Sequence, residues 1–418
     1  MKVLIITYYW PPAGGSGVQR WLKFVKYLQD FGIIPVVYTV ENPDYPILDD
    51  TLNNEIPEGI EVLKQPIWEP TQVINVFSKS KKVKTSAGFL GPQKSFKAKA
   101  MAYIRANYFI PDARKFWIKP SVDFLDEYLS KNKIDAIIST GPPHTTHMIA
   151  LGLKKKLNIR WIADFRDPWT DIDYFHQLPL TNSSIKKHHQ LEQEVLKKAD
   201  EVLVVGATMK KNYDLFSDQV HVITNGYDGA LSSNKNLDKD FTMTHIGMLN
   251  ADRNPKILWE ALSALKEKIT VKVQLIGKIA EEVKQSIHDF GLTESVVYID
   301  YLPHHEVKNY QEQSQVLLLA VNNVPSAKGI VTGKIFEYLQ AKRPVLAIAP
   351  KDGDLANILE KTQSGVVVGF NEVEEFKEIL VDLHRQYLEN TLFVDSKGVE
   401  QYHRKELTGQ LASIIRNV

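Results

Sequence analysis

Short Val- and Ile-rich runs alternate with helix-length amphipathic segments along the whole chain, and that alternation leaves few folds open. In the first half the runs are KVLIIT, IPVVYTV, IEVLKQ, DAIIST, RWIADF and EVLVVG. In the second half they are HVIT, FTMTHIG, VKVQLIG, VVYIDY, VLLLAV, RPVLAIA and GVVVGF. Many lack the apolar–polar alternation of a half-exposed strand, which predicts strands covered on both faces. The segments between them read as helices: Val18, Trp21, Leu22, Val25 and Leu28 fall on one stripe. Repetition of strand and helix predicts parallel sheets covered by helices, an α/β architecture.

There are more runs than one doubly wound sheet needs, and the series restarts after VITNGYDG and the polar stretch LSSNKNLDKD. With 418 residues available, the pattern predicts two α/β domains, with the junction near residues 216–222. The expected division is 1–217, then 218–395, with 396–418 as a C-terminal helix crossing back to the first domain.

Composition narrows the function classes. Apolar residues make up 44% and charged residues 24%, enough to build large cores. A formal net charge of +1 argues against a dedicated nucleic-acid binder, which is usually strongly basic. The absence of cysteine excludes disulfides, thiolate metal sites and cysteine nucleophiles, and suits a reducing compartment. The opening MKVLIITYYW is too short an apolar run for a signal peptide, and no run approaches the roughly 20 residues of a membrane helix. A cytoplasmic protein is therefore expected. Between Lys79 and Lys119 there are eleven Lys or Arg and one acid, Asp112, interleaved with aromatic residues such as Phe89, Tyr103, Tyr108 and Phe116. A basic, apolar-studded segment of this kind predicts contact with a membrane surface, so the expected location includes the inner face of a membrane.

Four stretches carry candidate chemistry. YYWPPAGGSGVQR places Gly14, Gly15 and Gly17 between a strand and a helix, where bare backbone N–H groups and the helix dipole suit an anion. Arg20 stands where a dinucleotide fingerprint has its last glycine, and the Lys-Ser/Thr of a P-loop is missing, so neither motif is present. STGPPHTTHM puts His144 and His147 where a parallel strand meets its ligand-side loop; no third metal ligand is near, and substrate contact or an ordinary surface position are both open. IADFRDPWTD delivers Arg166, Asp167 and Trp169 to a strand end, with Trp169 as an apolar wall for a sugar. In GIVTGKIFEYLQAKRPVLAIAP, Gly329 and Gly333 flank a loop entering a helix. Lys334 stands in its first turn, where a cation is unfavourable unless an anion binds, and Glu337 shares its face. From the residues alone, the chain reads as two α/β domains binding a phosphorylated ligand.

These stretches together resemble the GT-B glycosyltransferases, in particular the retaining, nucleotide-sugar-dependent group 4 family of bacterial polysaccharide biosynthesis. YYWPPAGGSGVQR matches that family's N-terminal glycine loop, TNGYD its PNGVD-like element, and GKIFEYLQAKRPVLA its donor-site motif. HIGMLNADRNPKILWEAL and KDGDLANILEKTQSGVVV match two further elements of its second domain. The resemblance implies two Rossmann-like domains with parallel sheets facing a central cleft. It implies that Gly15 and Gly17 lie close to the donor diphosphate or the transferred sugar, that Glu337 binds the donor ribose, and that backbone around Gly333 and Lys334 cradles the diphosphate. Departures are present as well. Met248 stands in place of the family's diphosphate-binding Arg, Arg253 takes the place of its Lys, and Gly329 replaces the first Glu of its Glu-x7-Glu pair. Lys334 is expected to make up part of the missing positive charge.

The expected activity is hexosyl transfer from a nucleotide diphosphate sugar, itself a substrate, to a lipid-linked or polysaccharide acceptor. Neither a cofactor nor a metal is expected; Arg166, Asp167 and His144 would orient acceptor and sugar, and Arg253, Gly333, Lys334 and Glu337 would hold the donor. The alternatives are a nucleotide-sugar epimerase or hydrolase, or a non-catalytic nucleotide-sugar-binding scaffold.

Overall fold

In the computed structural model, which describes residues 1–69, 96–233 and 236–417, the predicted runs form two separate all-parallel sheets. The first unit comprises Met1–Asn225 together with Arg404–Val418. Its strands are β1 (Lys2–Ile6), β2 (Ile34–Val40), β3 (Glu61–Gln65), β4 (Ala136–Gly141), β5 (Trp161–Phe165), β6 (Glu201–Val204) and β7 (Val220–Val222). They lie in the order β3-β2-β1-β4-β5-β6-β7. Its helices are α1 (Ser16–Leu28), α2 (Phe96–Tyr108), α3 (Ile118–Lys131), α4 (Thr145–Leu157), α5 (Asn182–Lys198) and α6 (Ala207–Tyr213). Val3, Leu4, Ile5 and Ile6 are all fully buried, as expected for a strand covered on both faces. The predicted stripe of α1, from Val18 to Leu28, is likewise buried.

The second unit is Gly226–His403. Its strands are β8 (Thr242–Ile246), β9 (Lys272–Ile276), β10 (Val296–Ile299), β11 (Val316–Ala320), β12 (Val345–Ile348) and β13 (Gly365–Val368), in the order β10-β9-β8-β11-β12-β13. Around them lie α7 (Lys256–Leu265), α8 (Glu281–Asp289), α9 (His304–Gln313), α10 (Lys334–Ala341), α11 (Asp354–Thr362) and α12 (Val373–Leu388). Strand order reverses between β1 and β4 in one sheet and between β8 and β11 in the other. Loops leaving the carboxyl ends of such neighbours are where doubly wound sheets bind ligands.

Two boundaries differ from the sequence reading. HVIT belongs to the first sheet: Val220 registers with Val202 and Val222 with Val204. The first unit therefore runs to Asn225 rather than to 217. At the other end, Val399 and Tyr402 are buried in the second unit, with the Tyr402 ring 5.4 Å from that of Phe336, so that unit extends to His403 rather than to 395. The last helix, α13 (Arg404–Asn417), returns to the first unit as expected and packs along α1. It buries Leu407, Leu411 and Ile415, one per turn, and Lys405 pairs with Asp30 at 2.8 Å. Of the basic segment, residues 79–95 lie outside the described residues, and 96–108 form α2.

One buried charge ties the first unit together. Asp164, in the middle of β5, is fully buried. It accepts from Arg20 Nη2 at 2.8 Å, Trp21 Nε1 at 2.7 Å and Thr140 Oγ1 at 2.8 Å. The same guanidinium donates to the carbonyls of Ile223 at 2.8 Å and Thr224 at 2.9 Å. Arg20 thus stands where a fingerprint glycine would, because α1 is joined to β5 and to the chain leaving β7 through its side chain. The Arg20 charge and the hydrogen bonds outweigh burial and hold the Asp164 carboxyl below its usual range.

Asp164→Leu should cost the first unit about 3–5 kcal/mol by stranding the Arg20 guanidinium, measured as urea unfolding followed by tryptophan emission. Adding Arg20→Leu should recover part of that loss. Because the folded-state pKa is depressed, this stabilisation is complete above the ordinary aspartate value near ~3.9 and is lost as pH falls through the folded value. Acid unfolding of the wild-type unit should therefore be steeper than that of the double variant.

Candidate active site

In the first unit the candidate residues gather on the loops after β1, β4 and β5. Gly15 has φ +84°, a conformation that side chains disfavour, and it precedes α1, whose first turn has neither a side-chain cap nor an acid. The bareness of Gly17 has an internal cause: a Cβ there would stand 3.1 Å from Arg166 Nη1 and 3.3 Å from the Tyr9 ring. Arg166 Nη1 donates to the Gly17 carbonyl at 2.6 Å, Nε to the Gly141 carbonyl at 3.3 Å, and Nη2 to the Pro142 carbonyl. Its donors thus tie the first turn of α1 to the loop after β4. The Arg166 side chain, expected to orient acceptor or sugar, is thus placed as a clamp between two loops. Asp167 is exposed beside it.

The histidines and the tryptophan also differ from the sequence reading. His144 and His147 are both buried, so neither is an ordinary surface residue. His144 lies flat on the Trp169 ring, 4.3 Å between centroids at 0°, and burial pushes its pKa well below 6.5. His147 Nδ1 meets Ser139 Oγ at 2.8 Å, and burial lowers its pKa to about 3. Trp169 is not an open wall for a sugar. It is buried under His144, and its Nε1 donates to His188 Nδ1 at 3.0 Å. Glu192, which sequence reasoning missed, anchors this loop from α5, accepting from the Trp169 N–H at 3.2 Å, Thr170 Oγ1 at 2.5 Å and Tyr213 Oη at 2.7 Å. Among the described residues, no group of three or more His, Asp or Glu side chains is placed to hold a metal ion.

The second unit brings Arg253, Lys334 and Glu337 to the carboxyl ends of β8 and β11. Gly247 follows β8 with φ +110°, and the Lys334 side chain lies across it: a Cβ on Gly247 would stand 2.4 Å from Lys334 Cε and 2.5 Å from Nζ. Arg253 ends a short turn whose Asn250 side chain accepts its N–H at 2.9 Å. Its Nε donates to Asn322 Oδ1 at 2.9 Å and its Nη1 to the Met248 carbonyl at 3.3 Å, so the Met248 backbone is used although its side chain lacks the family's charge. Glu337 Oε2 accepts from Gln311 Nε2 of α9 at 2.9 Å. Gly329, at the position of the family's first glutamate, ends the turn Ala327–Gly329.

Three features here have no partner among the described residues. The Lys334 ammonium is half-buried and forms neither an ion pair nor a hydrogen bond among the described residues. Burial and then Arg253 pull its pKa down to about 8, with Glu337 pulling weakly the other way. Thr332 Oγ1 is buried and unpaired. Gly333 has an ordinary helical φ of −58°, and a Cβ built on it meets nothing within 4 Å, so the fold itself gives no reason for a glycine. A cation, a hydroxyl and a bare backbone at the uncapped start of α10 form a site that an anion would complete. Beneath it His245 donates from Nδ1 to the Leu318 carbonyl at 3.2 Å, and burial, then Lys334 and Arg253, lower its pKa to about 3. The held positions Gln311, Asn322 and His245 carried no signal in the sequence, since their partners come from separate strands and helices.

Residues 230–390, within the second unit, match the family model of the glycosyl transferases group 1. No curated protein matches the chain in sequence. Among solved structures, Anabaena HepE in complex with UDP is 14% identical with a TM-score of 0.66, and each chain is covered to 100%. Sucrose-phosphate synthase from Thermosynechococcus elongatus is 14% identical with a TM-score of 0.64, covering 100% of this chain and 98% of that one. TarM, an S. aureus protein, is 12% identical with a TM-score of 0.66, covering 99% of this chain and 98% of that one. At these identities the likeness is one of fold. The chain has the GT-B fold, and its residues 230–390 match the family model of the glycosyl transferases group 1.

Proposed function

We propose that the chain is a retaining glycosyltransferase that moves a hexosyl group from a nucleotide diphosphate donor to a lipid-linked or polysaccharide acceptor, without a metal ion, at the cytoplasmic face of a membrane. The observation that carries the donor half of this reading is the unpartnered Lys334 ammonium at the start of α10, beside Arg253 and the bare Gly333 backbone. Glu337, fixed by Gln311 one turn along the same helix, is the acceptor for ribose hydroxyls. HepE, of the same fold, has been solved with UDP-glucose, which supports a nucleotide-sugar donor.

The reaction asks little covalent help from the protein. An acceptor hydroxyl attacks the anomeric carbon, the bond from that carbon to the diphosphate oxygen breaks, and the hydroxyl proton passes to the departing phosphate. What must be stabilised is the charge growing on the diphosphate. Lys334, Arg253 and the N–H groups opening α10 supply fixed positive potential for it, with no reorganisation during the step. Gly15 and Gly17 stay assigned to the donor side and His144 and Asp167 to the acceptor and sugar, with Arg166 holding the loops that carry them. Met248 and Gly329, in place of an Arg and a Glu, favour a second reading, a nucleotide-sugar-binding scaffold without turnover.

Release of nucleoside diphosphate from UDP-, GDP- and ADP-hexoses, with and without a membrane lipid extract, separates the readings. Acceptor-dependent release from one donor is expected, with kcat/KM falling at least about tenfold in Glu337→Ala and Lys334→Ala. Acceptor-independent release would indicate a hydrolase, conversion of the donor to another nucleotide-sugar without net release an epimerase, and binding with neither would indicate the scaffold. Gly247→Ala should weaken donor binding as well, because the new methyl displaces Lys334.

Affinity for UDP should also depend on pH in one direction. Bound phosphate favours the charged amine, so affinity is highest below pH 8 and declines as pH rises through the Lys334 value of about 8. Calorimetric titration should find this decline in the wild type and lose it in Lys334→Gln.

A further inference from the structure

One face of the first unit is built the wrong way round for a domain surface. Along α2, Ala98, Ala102 and Ala106 recur every four residues on the half-buried side. Met101, Ile104 and Tyr108, at i, i+3 and i+7, are instead 48%, 47% and 66% exposed. The helix presents small side chains to the protein and its large apolar ones to solvent. It is not loosely attached: Asn107 Nδ2 donates to the Pro179 carbonyl at 2.8 Å, and Asn107 Oδ1 accepts from the Thr181 N–H at 2.8 Å.

A second apolar group adjoins the end of this stripe. Trp68 and Phe116, 49% and 46% exposed, meet edge to face at 5.0 Å, and Phe116 meets Phe109 at 6.0 Å. Lys115 links the two groups. Its ammonium donates to the Tyr108 carbonyl at the end of α2 and lies 5.3 and 5.2 Å from the Phe109 and Phe116 ring centres. Of the Lys and Arg between 96 and 119, Arg114 pairs with Glu69 inside the protein at 2.8 Å and Lys119 with Asp123 at 2.7 Å, while Lys99, Arg105 and Lys115 accompany the stripe; the one acid in that span is Asp112. That acid is occupied inside the protein, accepting from the Thr145 N–H and hydroxyl at 2.9 and 2.8 Å.

We propose that the stripe Met101–Ile104–Tyr108 and the pair Trp68–Phe116, with Lys99, Arg105 and Lys115 around them, dock onto an anionic lipid surface. Exposed aromatic and aliphatic groups settle at the boundary of headgroups and acyl chains, while Lys and Arg stems reach the lipid phosphates. Cationic and large apolar side chains side by side complement such a surface. The inference rests on the lipid-linked-acceptor reading for its purpose only; binding to lipid needs no donor, so either can fail without the other.

The test is co-sedimentation of the full chain with phosphatidylcholine vesicles, with and without phosphatidylglycerol. Binding should appear with the anionic vesicles and weaken as salt is raised. Lys99→Gln should weaken it about fivefold. Ile104→Ser with Phe116→Ser should weaken it at low and high salt alike, with circular dichroism unchanged because both positions are exposed. Absence of binding to anionic vesicles would overturn the proposal, and so would binding indifferent to these substitutions. Self-association in light scattering that the serine variants abolish, without vesicle binding, would overturn it in favour of a protein interface.

Discussion

The first unit depends on one carboxylate that has no access to water. Asp164 sits within β5, and a charge there costs several kcal/mol unless it is paired and hydrogen-bonded. Its partners come from the start of α1, from β4 and from an indole, and the Arg20 side chain continues to the carbonyls after β7. This one network fixes where α1 begins relative to the sheet, and so where the glycine loop lies. It also fixes the chain as it leaves the first unit near Asn225. Arg166 repeats the device closer to the surface, with backbone carbonyls as its acceptors.

The second unit solves its electrostatics differently. In the first unit the buried cation is neutralised within the chain; at the start of α10 the Lys334 ammonium has no partner among the described residues, against both burial and the helix dipole. A protein keeps such an arrangement at a cost, and the natural compensation is a bound anion. The contrast supports a donor held by the second unit on physical grounds, independently of any likeness. It also explains how a chain with Met248 in place of an Arg retains a positive site: Arg253 and Lys334 approach from two different elements, a combination visible only once β8 and β11 are side by side.

Much of the architecture was legible because apolar runs buried on both faces announce themselves. HVIT went to the wrong domain because a run of four residues carries no information about which sheet it joins; pairing with β6 decided that. Gly15 was legible as a backbone requirement, and φ +84° bears it out, whereas the need for a glycine at 17 arises from Arg166, 149 residues away in sequence and 2.6 Å away in space. For His144 and His147 the sequence leaves a surface position open beside substrate contact, and it predicts Trp169 as an open wall; polarity alone does not reveal a stack with Phe165 and Glu192 behind it. Asp164 did carry a signal, an acid inside an apolar strand, yet its partners could not be found before the sheet order was known.

The central claim is that the second unit holds a nucleoside diphosphate through Lys334 and Glu337. Isothermal titration of the wild type with UDP, GDP and ADP, repeated with Lys334→Ala and Glu337→Ala, tests it most directly. The account predicts saturable binding of one nucleotide, weakened at least about tenfold in each variant, as expected when a charged hydrogen-bond partner is removed. Binding of none, or equal affinity in wild type and both variants, would contradict it.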